Sequence, residues 1–232
     1  MSALKIFFLL ALCLFSPLKP SHAVTPILAT SPEAIFLKAL SSTHQGEYAE
    51  AIRLLNEAKE LFSRAGNQDG QYKSAALGFY LTQEQQYLQK KGNVTPANPS
   101  WMRVGWMLAD MNLSGLWITP SIPSSTYQGL LLFTRKVRDL STGPGRSIPV
   151  WAILDVIPTP RLMPGEEFAS GTCHLKGKEP DGGIAALAMM KGHEKSQEFT
   201  KIRKAWRLNP QTSKIEELPA EQVACLNEGL GV

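Results

Sequence analysis

The chain has 232 residues, with 24 Lys and Arg against 20 Asp and Glu and a formal charge of +4. A charge this small leaves no electrostatic footprint for nucleic acid. The length suits one large domain or two small ones.

The first stretch is MSALKIFFLLALCLFSPLKPSHA. Lys5 precedes an apolar run from Ile6 to Phe15, and the polar tail ends in Ser21-His22-Ala23. That order is the pattern of a secretory signal over 1–23, cleaved after Ala23. The apolar run is only about half of the roughly 20 residues a membrane span needs. Cys13 does not read as a lipidation site, because Leu12 before it is bulky and the apolar run continues past it. Cleavage removes Lys5 and Lys19 and lowers the charge to about +2. No later segment reads as a span. The apolar stretch from Trp101 to Ile118 is interrupted by Arg103, Asp110 and Asn112. The expected address is periplasmic or secreted. Two cysteines then remain, Cys173 and Cys225, and an oxidising compartment favours their pairing. The loop so closed has about 50 residues and is worth roughly 4 kcal/mol in the chain-entropy model.

From Pro32 to Lys91 the sequence has a helical period and few breakers. Ser31-Pro32-Glu33 is a helix start, with a hydroxyl cap, a proline at the first helical position and an acid in the first turn. Gln45-Gly46-Glu47 breaks this helix. Tyr48, Ala51, Ile52, Leu55, Ala58 and Phe62 then recur at spacings of three and four. The stretch 66–70 is the next turn, and Ala75, Ala76, Phe79, Tyr80 and Tyr87 carry a third helix to Gly92. GEYAEAIRLLNEAKELF resembles the second half of a tetratricopeptide (TPR) repeat, with Gly46, Tyr48, Ala51 and Ala58 at the family's small-residue and aromatic positions. Ile35, Lys38 and Ser63 depart from its tryptophan, leucine and proline positions. The resemblance covers about one and a half repeats over 31–92 and implies a surface that presents itself to peptides or partner proteins; the alternative is that these helices merely cover a sheet. So few repeats cannot bury a core alone and must lean on the rest of the chain.

GNVTPANPS, 92–100, is the expected domain boundary. Beyond it, 101–232 reads as β-rich, so the expected class is α+β: a short TPR-like helical hairpin followed by a mostly antiparallel β domain of five to seven strands. QGLLLFTRKV is a strand and TGPG a turn. VWAILDVI is apolar on both faces, the sign of a central strand. EFASGTCHL, GIAALAMM, TKIRKAWRLN, KIEEL and QVACL read as further strands, with NPQTS as a hairpin loop. The stretch 101–118 fits a strand pair or a short helix. From VWAILDV to VACLNEG, roughly 148–232, the chain resembles an uncharacterised domain of exported bacterial proteins, which implies a bacterial periplasmic setting and no chemistry.

Several residues invite a chemical reading. Cys173 and His174 are neighbours, but neighbours in a strand point to opposite faces. A Cys–His nucleophile needs both groups within hydrogen-bond reach. A disulfide to Cys225 accounts for the cysteine and leaves His174 as a surface residue. His193-Glu194 with Gln197 falls one histidine short of a zinc motif, so no metal is expected, and no cofactor. Beyond the signal stretch, no G-x-S-x-G, S-x-x-K or phosphate-binding glycine loop is present. Glu166-Glu167 and Glu216-Glu217 are adjacent acids, which fits solvated positions better than paired catalysis. Lys201, Arg203 and Arg207 are expected on one face of a strand, opposite Ile202, Trp206 and Leu208. They form either an anion-binding stripe or an ordinary solvated face. Asp155 inside the most apolar strand needs a partner, Arg161 or a backbone amide. Trp101, Trp106, Trp117 and Tyr127 form either a second core where helices meet sheet or a ligand pocket.

The reading that gathers these features is an exported, non-catalytic binding or scaffold protein that contacts an envelope protein or peptide. Tyr48, Arg53, Tyr72 and Tyr80 are its partner-facing candidates. The alternative is a hydrolase-like enzyme with a site in the β domain, which a deep polar cleft around Asp155, His174 or the glutamates would favour.

Overall fold

A computed structural model describes residues 31–90, 102–110, 112–193 and 195–228. The signal stretch, Cys13, the 92–100 boundary, Trp101 and Glu194 lie outside the described residues.

The helices begin and end where the sequence places its caps. In α1 (Pro32–His44) the Ala34 N–H donates to the Ser31 hydroxyl at 3.1 Å. The helix closes at Gly46, whose φ of 75° is costly for any residue with a Cβ. In α2 (Tyr48–Arg64), Ala51 and Ala58 are fully buried, and their small side chains let the neighbouring helices approach. α3 (Gln68–Gln89) starts from an Asn67 cap, with the Gly70 N–H bonded to its side chain at 2.9 Å. Gly70 is also a close-approach point, because a Cβ there would lie 2.4 Å from the Phe62 ring.

The β region has eleven strands among the described residues, and every pairing is antiparallel. The first sheet runs β1 (Met102–Met107), β2 (Leu113–Thr119), β3 (Tyr127–Gly143), β4 (Arg146–Pro160) in that order. The 101–118 stretch is thus a strand pair. The second sheet has the order β10 (Lys214–Leu218), β9 (Ile202–Asn209), β7 (Ile184–Met189), β5 (Glu166–Ser170). The third is β6 (Cys173–Leu175), β11 (Val223–Leu226), β8 (Glu198–Phe199). EFASGTCHL is therefore two strands rather than one, divided at Gly171, which has φ of 81°.

Three cores stack these elements into four layers. Leu54, Leu55 and Leu77 of the helices pack against Leu116, Leu130, Leu132 and Ile153 of the first sheet. The opposite face of that sheet, with Leu131 and Phe133, packs on Leu187, Trp206 and Leu208 of the second. On the other face of the second sheet, alanines stand with Ile184 and Ile202, and Ala186, Ala188 and Ala205 meet Cys173, Val223 and Cys225 of the third. The helical layer and the first sheet share one core, as so few helices require.

β4 corrects one expectation. It is apolar on both faces yet lies at the sheet's edge, pairing with β3 alone among the described strands. The helical layer covers that edge and supplies side chains in place of a neighbouring strand. The Ile153 N–H donates to Thr43 Oγ1 at 3.1 Å, and His44 Nε2 donates to the Ile153 carbonyl at 3.0 Å. The Tyr48 hydroxyl donates to the Trp151 carbonyl at 3.0 Å. Covering an edge with a helix is one of the standard ways to prevent unwanted strand pairing.

Candidate functional site

The disulfide expected from the cysteine count is present. Cys173 and Cys225 face each other across β6 and β11, are fully buried and are bonded at 2.08 Å. His174 departs from expectation, since it is 6 % exposed rather than a surface residue. Ala224 stands opposite it in β11, and its Nε2 lies 3.4 Å from Glu198. Its Nδ1 has no hydrogen-bond partner in the structure. Cysteine and histidine point to opposite sides of β6, and the sulfur is already bonded.

The cationic stripe does not form as a continuous face. Lys201 is exposed and precedes β9. A register shift between Leu187 and Ala188 pairs Lys204 with Leu187 and Ile202 with Ala188, so Arg203 is the extra residue of a bulge. Ile202 consequently packs in the alanine-rich core, while Trp206 and Leu208 pack on the first sheet. Each arginine is held by a carboxylate: Arg203 Nε bonds Glu166 at 2.6 Å, and Arg207 bonds Asp181 at 2.8 Å. The Arg203 bonds and the Met163 N–H hold the Glu166 carboxyl below the usual carboxylate range against the opposing effect of burial. Glu167 is exposed, and Glu216 accepts from Asn209 and Thr212. The adjacent acids therefore do not converge on a common point. Asp155 takes the backbone alternative, accepting from the Ile215 N–H at 2.9 Å, with Lys214 Nζ at 3.6 Å.

Trp106 and Trp117 build core, but between the two large sheets rather than at the helices. Trp117 stacks on Phe168 at 4.6 Å, and Trp106 lies 5.8 Å from the same ring. Tyr127 faces the helical layer, with its ring 5.0 Å from Tyr72.

The partner-facing tyrosines also need correcting. Tyr48, Tyr72 and Tyr80 are all at most 6 % exposed. Each occupies a helix position whose stripe faces the sheet, so the amphipathic pattern buries it. Arg53 alone is exposed, bound to Glu50 and Glu57 on its own helix.

Tyr72 nevertheless forms the wall of an open cleft of ≈ 450 Å³ between the α2–α3 turn and the 122–127 loop. Lys59, Gln68 and Gln71 line one side, and Pro123, Ser124 and Tyr127 the other. The loop is pinned at several points. The Ser124 hydroxyl accepts from the Thr126 and Tyr127 N–H groups. Arg161 donates to the Ser124 carbonyl at 2.7 Å. The Tyr127 hydroxyl donates to Asp69, and its pKa is pushed up to about 12 by burial first and by Asp69 second. The Tyr72 hydroxyl is buried and has no hydrogen-bond partner. Burial raises its pKa, and the Arg161 charge opposes that rise. Gln68, Gln71 and the loop carried no functional signal in the sequence. The Pro-Ser cluster before β3 is a turn signal, and a turn facing a helix start was the available clue.

Smaller depressions lie elsewhere among the described residues. One of ≈ 320 Å³ lies among Asp110, Asp181, Gly182 and Arg207. One of ≈ 170 Å³ lies beside α3, among Tyr80, Leu116, Thr134 and Trp151. Compared with family models, curated proteins and solved structures, the chain matches none.

Proposed function

We propose that the protein is an exported, non-catalytic binding or scaffold protein whose TPR-like helical layer holds a segment of an envelope protein or peptide. The cleft beside Tyr72 is the binding site. The observation that carries this reading is the cleft's composition: an open polar trough with amide, hydroxyl and aromatic groups on its walls. Such a mixture suits backbone amides and small polar side chains. Lys59 and Gln71 meet the ligand from the helices and the 122–127 loop meets it from the sheet. Of the tyrosines, Tyr72 lines the cleft, while Tyr48 and Tyr80 support the fold.

Export is supported by the signal-like start of the chain and by the disulfide, which persists in an oxidising compartment. No helix among the described residues is long and apolar enough to cross a membrane. Export itself predicts a mature N-terminus at Val24, read by intact mass.

The binding test is photocrosslinking in envelope extract from a benzoylphenylalanine placed at position 71, compared with one at position 53. The expected result is one adduct specific to position 71, reduced at least tenfold by Lys59→Ala. Equal labelling from both positions, or an adduct indifferent to Lys59→Ala, overturns the assignment of the cleft.

A further inference from the structure

The edges of the three sheets are not alike. β4 is covered by helix side chains, as described above. β10 carries Lys214, Glu216 and Glu217 and gives its Ile215 N–H to Asp155. β5 carries Glu166 and Glu167, and β6 and β8 have only three and two residues. Charged, covered or very short edges resist the addition of a strand. β1 has none of these protections over 104–107, which reads Val104-Gly105-Trp106-Met107. It pairs with β2 alone among the described strands, and Met107 is 47 % exposed.

The register tells which backbone groups are open. The Leu108 N–H donates to the Leu113 carbonyl, and Trp106 stands opposite Gly115. Antiparallel pairs alternate between bonded and non-bonded. Val104 and Trp106 therefore spend their backbone groups on β2, as Leu108 does its N–H. The N–H and C=O of Arg103 and Gly105, and the N–H of Met107, point away from the sheet.

Beside this edge lies the ≈ 170 Å³ depression, and Gly105 and Met107 form its rim. Its walls are Tyr80, Leu116 and Trp151, and no charged side chain lines it. The two hydroxyls on its floor, Ser114 and Thr134, already bond each other at 2.8 Å. A dry cavity of about 150 Å³ takes a benzene-sized group, so the space fits one leucine or phenylalanine side chain. A charged side chain would be desolvated there without a counter-charge.

We propose that β1 is a strand-addition site for an extended polypeptide of another protein, which pairs with the Val104–Met107 edge and places one uncharged, apolar side chain in the depression beside Gly105. A row of alternating donors and acceptors at strand spacing is matched only by another extended backbone, and alternate side chains of the added strand face the pocket. The missing side chain at Gly105 keeps the mouth of the pocket open. A Cβ there would make only ordinary contact, 3.5 Å from Leu116, so the position tolerates substitution. This site stands apart from the Tyr72 cleft and does not depend on it.

The test uses the full chain and an acetylated, amidated nonapeptide alternating threonine and leucine, followed by calorimetry and by tryptophan fluorescence, since Trp106 and Trp151 line the pocket. The expected result is saturable binding below about 1 mM. It should weaken at least tenfold when alternate amides of the peptide are N-methylated, and at least tenfold again in Gly105→Leu. Gly105→Ala should keep most of the affinity, and circular dichroism should show both variants folded. Absence of binding, or equal binding of the N-methylated peptide, overturns the proposal. So does a β1-mediated dimer of the protein that Gly105→Leu converts to monomer in sedimentation, because a second copy would then be the occupant.

Discussion

Thr43 gives the sharpest test of how the helical layer is joined to the sheet. The residue is fully buried, and its hydroxyl does two things: it accepts from the Ile153 N–H at 3.1 Å and donates to the Leu40 carbonyl at 2.6 Å. Thr43→Val keeps the shape and adds apolar surface, but it strips a buried edge-strand donor of its acceptor. A buried unsatisfied donor costs about 1–3 kcal/mol, so a loss of about 2 kcal/mol is expected. Thr43→Ser keeps the hydroxyl and loses one methyl, at about 1 kcal/mol. The order of stability should therefore be threonine, then serine, then valine. Hydrophobic burial alone predicts valine above serine, so the order separates the two explanations. Urea unfolding reads it directly. With a slope of about 2 kcal/mol/M, the valine midpoint should fall by about 1 M with the slope unchanged. A valine variant at least as stable as the serine variant would refute the edge-capping argument. Adding Tyr48→Phe removes the bond to the Trp151 carbonyl and should cost about 1 kcal/mol more.

The other expectations concern the far layers. Replacing both Cys173 and Cys225 with alanine opens a crosslink 52 residues apart and should cost about 4 kcal/mol in the chain-entropy model. A midpoint shift equivalent to less than about 1 kcal/mol would show that sheet pairing alone holds the third sheet. Glu166→Gln should cost about 2 kcal/mol near neutral pH, a value discounted because Arg203 is partly exposed. The Glu166 carboxyl has a folded pKa held below its ordinary value, chiefly by Arg203. Its stabilisation is therefore present above the unfolded pKa of about 4.3 and is lost as pH falls through the folded value. The gap between wild type and variant should close as urea midpoints are followed from about pH 6 down to pH 3. A gap independent of pH would contradict the pairing.

Local signals in the sequence carried the helices well. Ser31-Pro32, Gly46, Gly66 and Asn67 punctuate the chain where caps and turns are needed, and the three helices fall between them. Strand existence was also legible, because apolar runs and turn residues are local. Pairing was not. VWAILDVI reads as a central strand because apolar residues occur on both faces, but such a pattern reports burial and not the number of strand neighbours. Here the second neighbour is a helix end. The bulge at Arg203 broke the expected stripe for a related reason, since one extra residue reverses which side chains share a face. Tyr48, Tyr72 and Tyr80 were legible as a helix face but not as the inward one, because the sheet that buries them lies far along the chain. The cleft was not legible at all. Its two walls come from 59–75 and 122–127, and only the fold brings them together.

Those two walls belong to layers that share a single core. Ile122 and Tyr127 pack against the same buried cluster as Leu54, Leu55 and Leu77. The cleft is therefore set by helix–sheet packing and by the pinned loop, and little ordering remains to be done when a ligand enters. The disulfide lies on the other side of two sheets, in the alanine-rich core. Its covalent constraint acts on the unfolded chain and on the third sheet, not on the cleft walls. Thr43 and Tyr48 reach the cleft more directly, because they fix the helical layer to β4 and so set how the α2–α3 turn sits over the loop. Ligand affinity in the cleft should thus follow substitutions at the helix–sheet seam more closely than loss of the disulfide, even though the disulfide contributes the larger share of global stability.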